Sequence, residues 1–159
     1  MLINSHLHFD HVGGNALIPN ATVVIQQAEW EAGQDPEMAA LRGFNPRDYD
    51  LGHRVKTIVG EHDLFGDGSV VLFPTYGHTP GHQSLKLKLA SGDVVLAADA
   101  CYFCRTLEER RLPVRVHDRE AMHRSLETLA RLQSAGARIF FGHDNEFWKT
   151  VPQGPTAIT

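Results

Sequence analysis

The sequence predicts a single α+β domain over residues 1–159, and three observations carry that prediction. Short strand-like runs alternate with helical patterns from end to end, with no internal repeat. Two pairs of apolar runs are each separated by a glycine-rich turn, the mark of antiparallel neighbours. One amphipathic stretch near the C-terminus is long enough to cover a sheet. Composition agrees, since 42% hydrophobic and 21% charged residues suit a chain that buries a core.

The elements follow in order. Met1 to Asn4 reads as the end of a strand, and Gly13-Gly14 as a sharp turn. Thr22 to Ile25 is a β-branched run and so a buried strand. Gln27 to Gly43 is helical in pattern, broken by Gly33 and Pro36, before a loop at Phe44-Asn45-Pro46. Val55 to Val59 and Ser69 to Pro74 flank Gly66-Asp67-Gly68 and are expected to pair as a hairpin. A second hairpin joins Ser84 to Leu89 with Val94 to Ala98 across Ser91-Gly92-Asp93. In it Leu85, Leu87 and Leu89 alternate with Lys86 and Lys88, so this strand is expected on the outside of a sheet layer, one face buried and one solvated. The clearest helix runs from an N-cap at Asp118 to a C-cap at Gly136, with Met122, Leu126, Leu129 and Leu132 in one stripe. Arg138 to Phe141 closes the pattern as a short strand.

Charge and length exclude several function classes. A net charge of −4 gives no basic surface for nucleic acid, and no apolar run reaches the roughly 18 residues that cross a bilayer. A soluble protein acting on a small molecule is expected. Two cysteines build no disulfide framework, and Met1 to Asn4 has neither the basic nor the apolar region of a signal peptide, so the expected compartment is the cytoplasm.

The chemistry begins at His6-Leu7-His8-Phe9-Asp10-His11, where four ligand-type side chains crowd together. A strand end presents His6 and His8 to one side, and Asp10 and His11 follow where the chain curls away. Three further candidates lie beside glycine or at a strand end: His82 after Gly81, Asp99 after Val94 to Ala98, and His143 after Gly142. With Asp99 bridging, one site would hold His6, His8 and His82, and a second Asp10, His11 and His143. Imidazole and carboxylate ligands without thiolate suit two divalent ions, zinc first, with iron, manganese or cobalt also accepted. His78 is expected to support the site rather than to ligate. His53, His62, His117 and His123 read as ordinary surface residues. Cys101-Tyr102-Phe103-Cys104 lacks the second cysteine pair of a structural zinc site and reads as a coincidental pairing.

His6 to His11 resembles the HxHxDH signature of the metallo-β-lactamase superfamily, whose fold is an αββα sandwich. Gly77 to Ser84, Asp99-Ala100-Cys101-Tyr102 and Phe140 to Asp144 are similar to blocks of the N-acyl homoserine lactone hydrolases, the quorum-quenching lactonases. The resemblance runs to about Glu146. It implies a hydrolase that opens the lactone ring with a hydroxide bridging two metals. It also implies that Tyr102 points its hydroxyl at the developing oxyanion, and Asp10 is placed to carry a proton to the leaving alkoxide. Within the same superfamily, a glyoxalase II-like thioester hydrolase would share these ligands. A β-lactamase usually has cysteine where this chain has Asp99. A catalytically inactive metal-binding fragment is the alternative from another class.

In that superfamily a half-sandwich of strands precedes the histidine signature, whereas only a few residues precede it here. The expectation is an N-terminally shortened member whose exposed sheet face could pair with a second copy as a homodimer.

Overall fold

Val23-Val24-Ile25 is an unbroken apolar run at the centre of Thr22–Gln26, so a strand made from it must be buried on both faces. It is the middle strand (β2) of a three-stranded parallel sheet, between Leu2–Ile3 (β1) and Arg54–Ile58 (β3). The structure, a computed structural model, describes every residue except Pro155 and Thr159. A second sheet has five strands in the order His62–Asp63 (β4), Val70–Pro74 (β5), Gln83–Leu89 (β6), Gly92–Ala98 (β7) and Arg138–Phe141 (β8). All its pairings are antiparallel except β7 with β8.

The helices are Phe9–Val12 (α1), Gln27–Gln34 (α2), Pro36–Arg42 (α3), Pro46–Tyr49 (α4), Cys104–Glu109 (α5), Arg119–Ser134 (α6) and Asn145–Thr150 (α7). Strand alternation assigns the layers. Val23 and Ile25 of β2 pack with Leu7, Ala32, Ala39 and Tyr49 beneath α2 to α4. Val24, from the opposite face of the same strand, packs with Ile58 and Leu72, joining the two sheets. On the far side of the second sheet, Val95, Ala97, Ile139 and Phe141 meet Leu107 of α5 and Leu126 and Leu129 of α6. The result is the αββα sandwich. No helix among the described residues is long and apolar enough to cross a membrane.

Three expectations are corrected. Residues 55 to 59 do not pair with 69 to 74; that segment, as β3, runs parallel to β2, and the partner of β5 is the two-residue β4. The cause is local, because Asp63 accepts the N–H groups of Phe65, Gly66 and Gly68 and closes the turn at β4 itself. β6 is not at the outside of a layer, since β5 and β7 flank it. Its Leu85, Leu87 and Leu89 are only half-buried. Leu85 joins the cluster between the sheets, whereas Leu87 and Leu89 pack near Val94, Phe140 and Val151. Gly33 does not interrupt its helix. A Cβ there would stand 2.4 Å from Leu7 Cδ1, so the glycine makes room for the residue between His6 and His8. The break falls at Asp35, whose carboxylate caps α3 through the Glu37 and Met38 N–H groups.

Other elements match their sequence patterns. Asp118 caps α6 by accepting the Ala121 N–H at 3.0 Å, and Gly136 adopts φ 100° just past its end. Leu72→Ala, in the fully buried cluster between the sheets, is expected to cost about 2–5 kcal/mol of stability, read as a lower urea midpoint at unchanged slope.

Candidate metal centre

Each donor comes from the end of a regular element. After β1 the Asn4 N–H donates to Val24 O, and Asn4 and Asn15 exchange reciprocal side-chain hydrogen bonds that close the loop carrying His6 to His11. Gly13 and Gly14 keep right-handed backbone, with φ −58° and −83°, so the loop turns through the short helix α1 and not through a glycine kink. The Gln83 N–H donates to Ser5 O, binding this loop to the start of β6 next to His82.

Asp99 follows Ala98, which has φ 46°, a left-handed backbone that a non-glycine residue adopts only under strain. The strain coincides with a register shift between β7 and β8. Gly142 accommodates it, because a Cβ at that position would lie 2.7 Å from Ala98 O and 3.2 Å from Asp99 Oδ1. His143 therefore arrives beside Asp99.

The Asp99 carboxylate faces two groups of side chains. Oδ2 lies 3.2 Å from His78 Nε2 and 3.7 Å from His6 Nε2. Oδ1 lies 3.0 Å from His143 Nε2 and 3.1 Å from His11 Nε2. Correspondingly, the donor atoms of His6, His8, His78 and Asp99 lie within 4.8 Å of one another, and so do those of Asp10, His11 and His143. Asp10 Oδ2 is 3.6 Å from His11 Nε2 and 3.7 Å from His143 Nε2.

The second of these groups is the trio expected from the sequence. The first departs from expectation, since His78 stands in it and His82 stands beside it. His78 Nε2 is 3.0 Å from His8 Nδ1, and its Nδ1 is 3.3 Å from the Tyr102 hydroxyl. His82 is fully buried, with its ring 5.1 Å from that of His6, and its Nε2 accepts the Asp99 N–H at 3.1 Å. That acceptor role leaves the hydrogen on Nδ1, which donates to Thr75 Oγ1 at 2.8 Å. Thr75 in turn meets Ser84 Oγ, which donates to Ala97 O. Thr75 and Ser84 thus orient His82, a role that no sequence pattern announces for small hydroxyl residues on strand ends.

Hydrogen bonds fix other tautomers. His8 Nε2 donates to Arg42 O at 2.9 Å, leaving Nδ1 as the lone pair turned toward His6 and His78. Ser5 Oγ lies 3.1 Å from His6 Nδ1 and 3.2 Å from His11 Nδ1.

Electrostatics keep most of these rings neutral. Burial, then the neighbouring imidazoles, hold His6 well below the ordinary histidine value. Burial pushes His78 down to about 4 and His82 to about 3. Burial also opposes the charge of His11, but Asp99 and Asp10 outweigh it and hold this ring above its usual value. Asp99 is disfavoured as an anion by burial, yet its histidine neighbours lower it to about 2. Burial and the adjacent Asp99 raise the half-buried Tyr102 phenol, which stays protonated and able to donate. Burial pushes Glu29 up to about 7, against the opposing pull of Thr79 and the Gly81 and Leu7 N–H groups.

The donor set fits a pair of divalent cations. Neutral imidazole lone pairs converge on an ionised carboxylate, and the buried His11 Nε2 makes no satisfactory hydrogen bond among the described residues. Elsewhere, His53 and His62 are half-buried and His117 and His123 exposed, all outside these groups. Cys101 and Cys104 are free. Burial raises both thiols, Cys101 to about 12, so neither is a stabilised thiolate.

The chain is similar to several known proteins. N-acyl homoserine lactonase AttM of Azorhizobium caulinodans is 33% identical, the match covering 97% of this chain and 61% of that protein. N-acyl homoserine lactonase AiiA of Bacillus thuringiensis subsp. kurstaki is 36% identical, over 99% of this chain and 60% of that one. A solved N-acyl homoserine lactone hydrolase, with its product N-hexanoyl-L-homoserine bound at the catalytic metal centre, superposes with a TM-score of 0.85 at 34% identity. That match covers 98% of this chain and 60% of the solved one. The chain therefore spans about three fifths of the length of these relatives. The family model of the metallo-beta-lactamase superfamily matches residues 2–143, which takes in both donor groups, and the chain belongs to that superfamily.

Proposed function

We propose that this chain holds two divalent metal ions, zinc foremost, and hydrolyses the lactone ring of N-acyl homoserine lactones. The observation that carries the reading is the Asp99 carboxylate, which turns one oxygen to each of two donor groups. Similarity to lactonases, one of them solved with an acyl homoserine product at its metal centre, supports the substrate class.

His6, His8 and His82 would hold one ion, Asp10, His11 and His143 the other, with Asp99 shared. His82 is preferred to His78 because its Nδ1 is held by Thr75, the outer-shell bond typical of a ligating histidine, and its Nε2 lone pair would turn from the Asp99 N–H to the ion on binding. His78 then serves Tyr102, whose hydroxyl it meets. When bound, two such ions would acidify water toward neutrality and polarise a carbonyl.

The chain's own groups supply the rest. Tyr102 keeps its proton and would donate to the oxygen that gains charge as the ring opens. Asp10, partly exposed beside His11 and His143, would carry a proton to the leaving alkoxide. The free Cys101 and Cys104 fit a reducing compartment, the cytoplasm. Short- and long-chain acyl homoserine lactones tested beside a glutathione thioester decide the substrate: acid release from the lactones is expected, and release from the thioester alone would overturn the reading.

Metal analysis is expected to find close to two ions per chain. His82→Ala should lose the first ion, His143→Ala the second, and Asp99→Ala should weaken both, while His78→Ala keeps both. One ion in the intact chain, or loss in His78→Ala with retention in His82→Ala, would refute this assignment.

Tyr102→Phe should retain fold and metal but raise the barrier for the best lactone by about 1–3 kcal/mol, the scale of one lost donor to an oxyanion. Unchanged kcat would make Tyr102 a packing residue.

Stripped of metal, the chain should lose stability on acidification. His6, His78 and His82 stay neutral when folded but take protons near 6.5 when unfolded, so acid favours the unfolded state. Glu29 acts oppositely, holding a proton to about 7 when folded against 4.5 when unfolded. The histidines outnumber the carboxyl, so the unfolded state binds more protons and stability should fall as the pH drops from about 6 to 4.5. Thermal melts in chelator across that window check the slope, and a flat profile would contradict it.

A further inference from the structure

One buried carboxylate lies outside both donor groups. Glu29, in the first turn of α2, has no exposed surface. Its Oε1 accepts the Leu7 N–H at 3.0 Å and its Oε2 the Gly81 N–H at 2.7 Å. Leu7 separates His6 from His8, and Gly81 immediately precedes His82. One carboxylate thus reaches two stretches of chain that are more than seventy residues apart.

The packing around it leaves little freedom. A Cβ at Gly81 would stand 2.2 Å from Glu29 N and 2.7 Å from its Cα, so loop and helix touch backbone to backbone. The Leu7 side chain is fully buried and sits in the space left by Gly33, one turn further along α2. Two N–H donors facing one side chain from opposite arms require an acceptor for each. A carboxylate has two acceptor oxygens, whereas an amide has one and would set its NH2 against a backbone N–H.

We infer that Glu29 is a positioning residue for the first metal site, a two-oxygen clamp that holds the His6–Leu7–His8 segment in register with the corner bearing His82. The inference rests on the proposed ligand role of those histidines.

Glu29→Gln tests it in the full chain, because the substitution keeps size and removes one acceptor. Competition with a chromophoric chelator is expected to show affinity for the first ion falling about 10–100-fold, with the second changed by less than about threefold. The visible spectrum of the cobalt-substituted first site should shift as well. Glu31→Gln, exposed on the same helix, should leave both readouts at wild-type values. A lower melting temperature with unchanged affinity and cobalt spectrum would overturn the clamp and reduce Glu29 to a structural residue.

Should Glu29→Gln not fold, amide exchange in the wild-type chain decides. The Leu7 and Gly81 amides are expected to be protected, and exchange of either at the rate of exposed loop amides would overturn the inference. Wild-type chain that takes up no metal would defeat the metal-centre reading and the clamp with it. Normal uptake in both wild type and Glu29→Gln defeats the clamp alone.

Discussion

A carboxylate with almost no contact with water needs partners, and the rest of this molecule is arranged around that requirement at Asp99. Its oxygens face ring nitrogens of His6, His11, His78 and His143, and all four rings also sit beside another imidazole. Several rings so close together cannot all carry a proton, and burial suppresses the charge further. The set is therefore rich in lone pairs and short of positive charge, which is the electrostatic case for cations at this place.

The sandwich makes such a cluster attainable. Its donor side chains come from the loop after β1, the loop before β6, the end of β7 and the end of β8, four places that meet at one end of the sandwich. The price is local strain and close approach: a left-handed Ala98 next to the Asp99 carboxylate, and glycines at 81 and 142 where any side chain would strike backbone. Outer hydrogen bonds then fix ring orientation, Thr75 on His82 and Arg42 O on His8. α2 contributes as a platform. Its buried Glu29 and its Gly33 both engage the segment between His6 and His8, coupling the outer helical layer to the centre.

Local pattern made several elements legible. The β-branched run at Thr22 to Ile25, the hairpin of β6 and β7, and α6 with its Asp118 cap follow from periodicity and turn chemistry, which neighbouring residues decide. Where a strand lies in its sheet is not local. Alternation in β6 identifies two faces but not the flanking strands, and the partner of β5 depended on a turn closed by one aspartate.

The sequence by itself determined the donor types: clustered histidine and aspartate, an aspartate rather than a cysteine at position 99, and glycines before His82 and His143, because donor type and backbone permissiveness are properties of the residues. Only the tertiary structure decided how those residues group. It brought His78 into contact with His8 and Asp99, turned the His82 Nε2 onto the Asp99 N–H, and placed Glu29 between two distant segments. Those relations depend on which strand ends converge and on which side chains burial leaves to satisfy a given N–H, and neither is encoded in spacing along the chain.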